Sequence, residues 1–181
     1  MNKIELKTNH LIKTSAHSNF QDKNIDYIEQ YLISLGIKKE DIISFIDRPR
    51  EEDLDRPQSL SNMDEAVRTA WSQLTHGAKA FVIVDSDTDG YTSSSILINY
   101  IRKRFPTVDL VYKLHPGKEH GIVLEDIPDD RTLIFVPDAG SNNYEEQKTL
   151  ISQGKTVIIL DHHEVDNYED TGAILVNNQF S

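Results

Sequence analysis

Ala80-Phe81-Val82-Ile83-Val84 runs straight into Asp85-Ser86-Asp87-Thr88-Asp89-Gly90, an apolar, mostly β-branched segment that ends in three alternating carboxylates and a glycine. A continuous apolar run of this length, bounded by turn residues, reads as a strand buried on both faces, as in parallel sheets. The pattern recurs. Thr132-Leu133-Ile134-Phe135-Val136 leads into Pro137-Asp138-Ala139-Gly140-Ser141-Asn142, and Thr156-Val157-Ile158-Ile159-Leu160 leads into Asp161-His162-His163. Open α/β sheets bind their ligands beyond the carboxyl ends of the strands. Three strands that deliver carboxylates and imidazoles to one edge therefore predict a site.

Outward from these strands, the chain alternates. Strand 80–85 is followed by a helix from Thr92 to Phe105 carrying Ile96, Leu97, Tyr100 and Ile101. Strand 108–113, a loop with Gly117 and Gly121, and strand 132–137 come next. A short helix over Asn143–Gln153, closed by Gly154, precedes strand 156–161, and a last strand lies near 173–177. Such alternation implies right-handed βαβ units, hence an α/β fold: a doubly wound, mainly parallel five-stranded sheet with helices on both faces. Upstream, Met63, Ala66, Val67, Ala70, Trp71 and Leu74 mark a helix, with Asn62 and Glu65 as a capping pair and Gly77 beyond its end. Residues 1–60 read as an N-terminal extension and 61–181 as the main domain. The extension comprises a loose arm over the first twenty residues and a helix 22–36 with Ile25, Ile28, Leu32 and Leu35 on one stripe. Ile42, Ile43, Phe45 and Ile46 then lead to a charged linker, Glu51 to Pro57.

Composition narrows the class. The 181 residues are 38% hydrophobic and 27% charged, an ordinary balance for a folded domain. No apolar run approaches the roughly 20 residues of a membrane helix, and no signal-peptide pattern opens the chain. Zero cysteines exclude disulfides and thiolate zinc sites, and the reading is a cytoplasmic protein without a membrane partner. A net charge of −11 argues against a broad phosphate-binding surface. It leaves room for a carboxylate cluster whose charge is offset by bound cations.

The residue types at the strand ends have a shared chemistry. Asp85, Asp87 and Asp89 share a face if the backbone stays extended, and Thr92-Ser93-Ser94-Ser95 at the following helix start suits an anion. An EF-hand is excluded, because position 12 of the loop is Ile96 rather than Glu and a strand precedes it. Carboxylates joined by imidazole from Asp161-His162-His163, with no thiolate, favour Mn²⁺ or Mg²⁺. Asp138 could bridge two cations, and Gly140-Ser141-Asn142 behind it would offer N–H donors to a phosphate. His115, Lys118 and His120 either add positive charge toward a substrate or belong to a solvated loop. Arg102-Lys103-Arg104 complements a helix C-terminus, and Trp71 and the tyrosines show no basic–aromatic interleaving along the chain.

Together, Asp85-Ser86-Asp87-Thr88-Asp89-Gly90-Tyr91-Thr92-Ser93, Asp138-Ala139-Gly140-Ser141-Asn142 and Asp161-His162-His163 resemble motifs I, II and III of the DHH phosphoesterase superfamily, and within it the RecJ-like single-strand-specific exonucleases. Ser59 to Val67 and His120 to Glu125 are similar to other RecJ-type segments. The pyrophosphatase branch has a His where this chain has Ile83. The resemblance implies hydrolysis of phosphodiester bonds in single-stranded DNA at a centre of two Mn²⁺ ions, with Mg²⁺ as the alternative. It assigns Asp87 and Asp138 to one ion and Asp89, Asp138 and His162 to the other, with Asp85 assisting. His163, beside Asp161, would contact the scissile phosphate. Gly140, Ser141, Asn142, Thr92, Ser93 and His120 would form the substrate side. Two further readings stand beside it: a phosphoesterase of nucleotides, short oligonucleotides or cyclic dinucleotides, and a non-catalytic replication scaffold, although none of the three motifs is broken. The family continues into a fourth motif, with a further metal-ligand Asp, and a DHHA1 domain, so the chain reads as the N-terminal part of a longer protein, and the 181 residues by themselves are expected to bind Mn²⁺ weakly and turn over little or no single-stranded DNA.

Overall fold

The computed structural model describes residues 20–42, 56–116 and 120–180. The arm before Phe20, Ile43, Phe45, Ile46, the linker through Asp55, and Gly117 and Lys118 lie outside the described residues. The chain divides between Asp55 and Arg56 into two units. In the first, helix α1 spans Phe20–Ser34 and stops at Gly36, whose φ of 90° is favourable only without a Cβ. Of the expected stripe, Leu32 is buried while Ile28 and Leu35 are exposed.

The second unit holds helix α2 (Met63–Thr75), strand β1 (Ala80–Val84), helix α3 (Thr88–Arg104), β2 (Leu110–Leu114), β3 (Leu133–Pro137), helix α4 (Tyr144–Ser152), β4 (Thr156–Asp161) and β5 (Ile174–Asn177). The strands form one five-stranded sheet in the order β2-β1-β3-β4-β5, every pairing parallel. Over β1, β3, β4 and β5 both faces are covered, as the uninterrupted apolar runs require, whereas β2 at the edge is largely exposed. Ala80, Val82 and Val84 pack on one face with Ile98, Ile101, Ala66 and Leu74 of α3 and α2. Phe81 and Ile83 pack on the other with Ile134, Val136, Ile159 and Leu150 of α4. Each fully buried aliphatic or aromatic side chain contributes roughly 1.5–3 kcal/mol, so the three central strands dominate the stability. Among the described residues no helix is long and apolar enough to cross a membrane.

Three local expectations are corrected. Asn62 does not cap α2 with its side chain; its amide donates to the Leu175 carbonyl at 2.9 Å and ties the helix start to β5. Helix α3 begins at Thr88 rather than Thr92, and its inward residues are Ser94, Ile98 and Ile101, whereas Ile96 and Tyr100 face outward. The helix starts four residues early because Asp87 is a strong N-cap that side-chain periodicity alone does not reveal.

That early start brings α3 hard against the end of β1. A Cβ on Gly90 would lie 2.7 Å from Asp85 Cβ and 2.8 Å from the Asp85 carbonyl oxygen. Gly90→Ala should therefore cost roughly 1–3 kcal/mol in urea unfolding through overpacking. It should also weaken Mn²⁺ binding by displacing Asp87 and Asp89. Gly154→Ala, where φ is 75° but the space is open, should cost about 1–2 kcal/mol from backbone strain and leave Mn²⁺ binding intact. Equal Mn²⁺ affinity in both variants would contradict the role of the close approach.

Candidate metal centre

Three strand ends meet at the carboxyl edge of the sheet. Asp85 follows β1 and is buried, at 2% exposure. Asp87 caps α3, accepting a hydrogen bond from the Gly90 N–H at 2.9 Å, and Asp89 lies in the first helical turn. The three carboxylates thus leave the strand and turn with the helix, rather than lying on one extended face. The Gly90 N–H holds the Asp87 carboxyl below its ordinary range.

Asp138 follows β3, and the Pro137–Leu160 register sets it beside the end of β4. Its own N–H donates to the Leu160 carbonyl at 2.7 Å, and its φ of 67° is left-handed, which Asp and Asn tolerate better than most residues. The side chain is buried, with Oδ2 unpartnered. Burial, then the charges of Asp89 and Asp87, push its pKa up to about 6. His162 Nε2 sits 3.1 Å from Asp138 Oδ1 and 3.7 Å from Asp89 Oδ2.

Two triads of donor atoms result, each within 4.8 Å: Asp85, Asp87 and Asp138, and Asp138, His162 and His163. They share Asp138. The donor set is oxygen and imidazole nitrogen, suited to Mn²⁺ and Mg²⁺, and the unpartnered Asp138 oxygen and crowded negative charge are what a cation would relieve. The residues present fit divalent metal. Asp89 lies outside both triads and approaches through His162.

Asp161 has a different task. Its Oδ1 accepts from the His162 N–H at 2.7 Å, the His163 N–H at 3.2 Å and His163 Nδ1 at 2.7 Å, while Oδ2 accepts from the Ser141 N–H at 3.1 Å. Burial opposes its ionisation, but the bonds from Ser141 and His163 prevail and keep its pKa below the ordinary value. In return the Asp161 hydrogen bond raises the pKa of His163. His120 pairs with Asp85 at 2.9 Å, which raises its pKa too and sets this loop residue at the edge of the candidate site.

A cleft of about 360 Å³ opens here, lined among others by Asp85, Asp87, His120, Ser141, Asn142 and His163. Gly140 lines it as well, with φ 97°. Thr92 and Ser93 do not. Their hydroxyls bond back to the carbonyls of Thr88, Asp89 and Gly90, because the helix already extends past them. Asn142 spends its amide on Glu164 O and its oxygen on the Asp166 N–H, so its role is to hold the loop after β4. Sequence reasoning passed over Gln147 and Asn177. Gln147 Nε2 supports the Gly140 carbonyl at 2.7 Å, and Asn177 Nδ2 bridges Ser141 Oγ and the His163 carbonyl at 2.9 and 3.0 Å. A buried amide at the end of a strand in an acidic site was the available signal.

The family model described as the DHH family, N-terminal domain, matches residues 79–180. The chain belongs to the DHH family. It is 41% identical over 160 residues to YorK of Bacillus subtilis, a prophage-derived protein named for single-strand DNA-specific exonuclease activity, covering 88% of this chain and 27% of YorK. It is 30% identical over 134 residues to the single-stranded-DNA-specific exonuclease RecJ of Thermus thermophilus, covering 70% of this chain and 20% of RecJ. The chain thus spans about a quarter of the length of these curated relatives. In fold it is similar to RecJ bound to manganese, with a TM-score of 0.58, 24% identity, and 65% of this chain and 31% of that chain covered. It is also similar to RecJ of Thermus thermophilus in complex with Mn²⁺, with a TM-score of 0.60, 23% identity, and 83% of this chain and 23% of that chain covered.

The shared carboxylate of this DHH domain predicts opposed effects on stability and binding. In chelator at pH 7, Asp138→Asn should stabilise the fold by about 1–3 kcal/mol, because it removes a buried charge that its neighbours repel while keeping a residue suited to left-handed backbone. The same variant should lose most of the melting-temperature rise that Mn²⁺ gives the wild type. An unaltered Mn²⁺ shift would show that Asp138 is not a ligand.

Proposed function

We propose that this DHH chain carries metal-binding residues of the active site of a RecJ-like exonuclease that hydrolyses phosphodiester bonds in single-stranded DNA with two Mn²⁺ ions. The observation that carries the reading is the pair of donor triads meeting on Asp138, whose buried Oδ2 has no protein partner. Asp87, with Asp85 assisting, and Asp138 would hold one ion; Asp138 and His162 of the second triad, joined by Asp89, would hold the other, while His163, the third member of that triad, would serve the substrate instead. Bound there, the cations supply Lewis acidity toward the phosphate and make an attacking water easier to deprotonate.

The protein's own groups do the rest. His163 faces the cleft that Ser141 and Asn142 line, whereas His162 is turned to Asp138. With Nδ1 bound to Asp161, His163 keeps its other nitrogen for the substrate. The Asp161 partner favours the imidazolium, which can donate to a phosphate oxygen as negative charge develops. Asp161 itself stays ionised and fixes the ring. His120, whose pairing with Asp85 likewise favours the imidazolium, lines the same cleft. Such positioning before reaction is where much of the rate acceleration arises.

The acidic net charge favours a second reading, in which the substrate is a short oligonucleotide or dinucleotide. A length series separates the two. Mn²⁺-dependent release of nucleotides should be faster from a long single strand than from a dinucleotide, and duplex DNA should resist. His163→Ala should lower kcat about 100-fold while Mn²⁺ affinity changes less than about threefold, in line with removal of one charge-stabilising donor. Faster turnover of the dinucleotide would select the second reading, and absence of any Mn²⁺-induced rise in melting temperature would contradict both.

A further inference from the structure

A second cavity, of about 310 Å³, lies beside the metal centre on the α3 and β2 side of the sheet. Its helical wall is a single stripe of α3, namely Tyr91, Ser94, Ser95, Ile98, Asn99 and Arg102. These positions recur at helical spacing, so they form one continuous face about 16 Å long. The stripe begins two residues after Asp89. Its strand wall is Tyr112 and Leu114 of β2, the edge of the sheet, and Val84, the residue before Asp85, lies between the walls.

The contents are unusual for a gap between a helix and a sheet edge. Tyr91 and Tyr112 are 44% and 43% exposed. The Arg102 guanidinium sits 5.6 Å from the centroid of the Tyr112 ring, held by a cation–π contact. Among the described residues no carboxylate pairs with Arg102, so its donors remain available to a ligand. Ser94, 1% exposed, has a hydroxyl with no partner, although buried hydroxyls are nearly always bonded. Tyr91, Arg102 and Tyr112 are scattered in sequence, and only the fold brings two aromatic faces, a cation and an unsatisfied hydroxyl into one groove.

Two stacking faces and an arginine along a groove are what a single nucleic-acid strand recognises without regard to base. We propose that the groove between α3 and β2 is a track for single-stranded nucleic acid leading to or from the metal centre, in which Tyr91 and the stacked Tyr112–Arg102 pair form the platform for bases and the outer donors of Arg102 contact a backbone phosphate. This rests on the reading of the chain as a phosphodiesterase of single strands and extends it to the substrate beyond the scissile bond. A limited set of contacts in one groove also reconciles strand binding with the acidic charge of the whole chain, since few phosphates need be neutralised.

The test is binding of fluorescein-labelled oligothymidylates of two, four and eight nucleotides in Ca²⁺, read by anisotropy. Wild-type affinity should rise with length, and Tyr91→Leu and Tyr112→Leu should each weaken the eight-nucleotide complex about tenfold, while Tyr91→Phe and Tyr112→Phe retain it. Arg102→Ala should lower the slope of log affinity against log salt by about one, and Lys103→Ala, which does not line the groove, should not. Thermal melts establish that each variant is folded. Affinity for eight nucleotides that is the same in wild type and the two Tyr→Leu variants overturns the track, as does a groove filled instead by a protein segment that blocks the strand. Failure of the nuclease reading shows separately, as absence of a Mn²⁺-induced rise in the melting temperature of the wild type, and leaves the binding comparison decisive for the groove.

Discussion

A buried carboxylate oxygen with no hydrogen-bond donor is costly, and the centre of this structure is built around one, Asp138 Oδ2. Desolvation and the neighbouring Asp87 and Asp89 both disfavour its ionised form. The fold nevertheless fixes the residue in left-handed backbone, anchored to β4 through the Leu160 carbonyl. The contrast with Asp161, one strand away, is instructive. Asp161 is also buried, yet three backbone N–H groups and one imidazole meet its oxygens. One carboxylate is satisfied by the protein, and the other keeps an oxygen that a cation could satisfy.

The parallel sheet makes this contrast attainable. The register of β3 with β4 aligns Pro137 with Leu160, so the residues that follow each strand emerge side by side. The close approach at Gly90 brings the first turn of α3, with Asp87 and Asp89, to the same edge. Positioning residues then form an outer layer. Asn177 at the end of β5 holds both Ser141 and the His163 carbonyl, and Gln147 of α4 holds Gly140 while accepting from Thr171. Ligands on strand ends, supported by buried amides from neighbouring elements, have little freedom to adjust, which suits a centre that must hold charges in a set geometry.

Much of this was legible in the sequence. Doubly buried strands announce themselves as unbroken apolar runs, so β1, β3 and β4 fell within a residue of their predicted limits, and polar residues just after them converge at the candidate site. Helix α3 was harder. Asp87 and Thr88 look like the end of a strand because the capping bond to Gly90 is a three-dimensional event, and placing the helix start at Thr92 misassigned both its buried face and the hydroxyls of Thr92 and Ser93. Asn62 shows the same limit: a residue well suited to capping was claimed by the Leu175 carbonyl across the fold. The groove of Tyr91, Arg102 and Tyr112 was hidden for another reason, since its parts are dispersed over a helix and an edge strand that only the sheet brings together.

The central claim is that Asp138 is shared by two cations. Electron paramagnetic resonance during titration of the metal-free protein with Mn²⁺ tests it directly, because two ions on a common carboxylate are magnetically coupled. The account predicts a coupled signal that grows as the second equivalent is added to the wild type and is lost in Asp138→Asn. Two equivalents that bind with the spectra of isolated Mn²⁺ ions, or a coupled signal that survives the substitution, would contradict it.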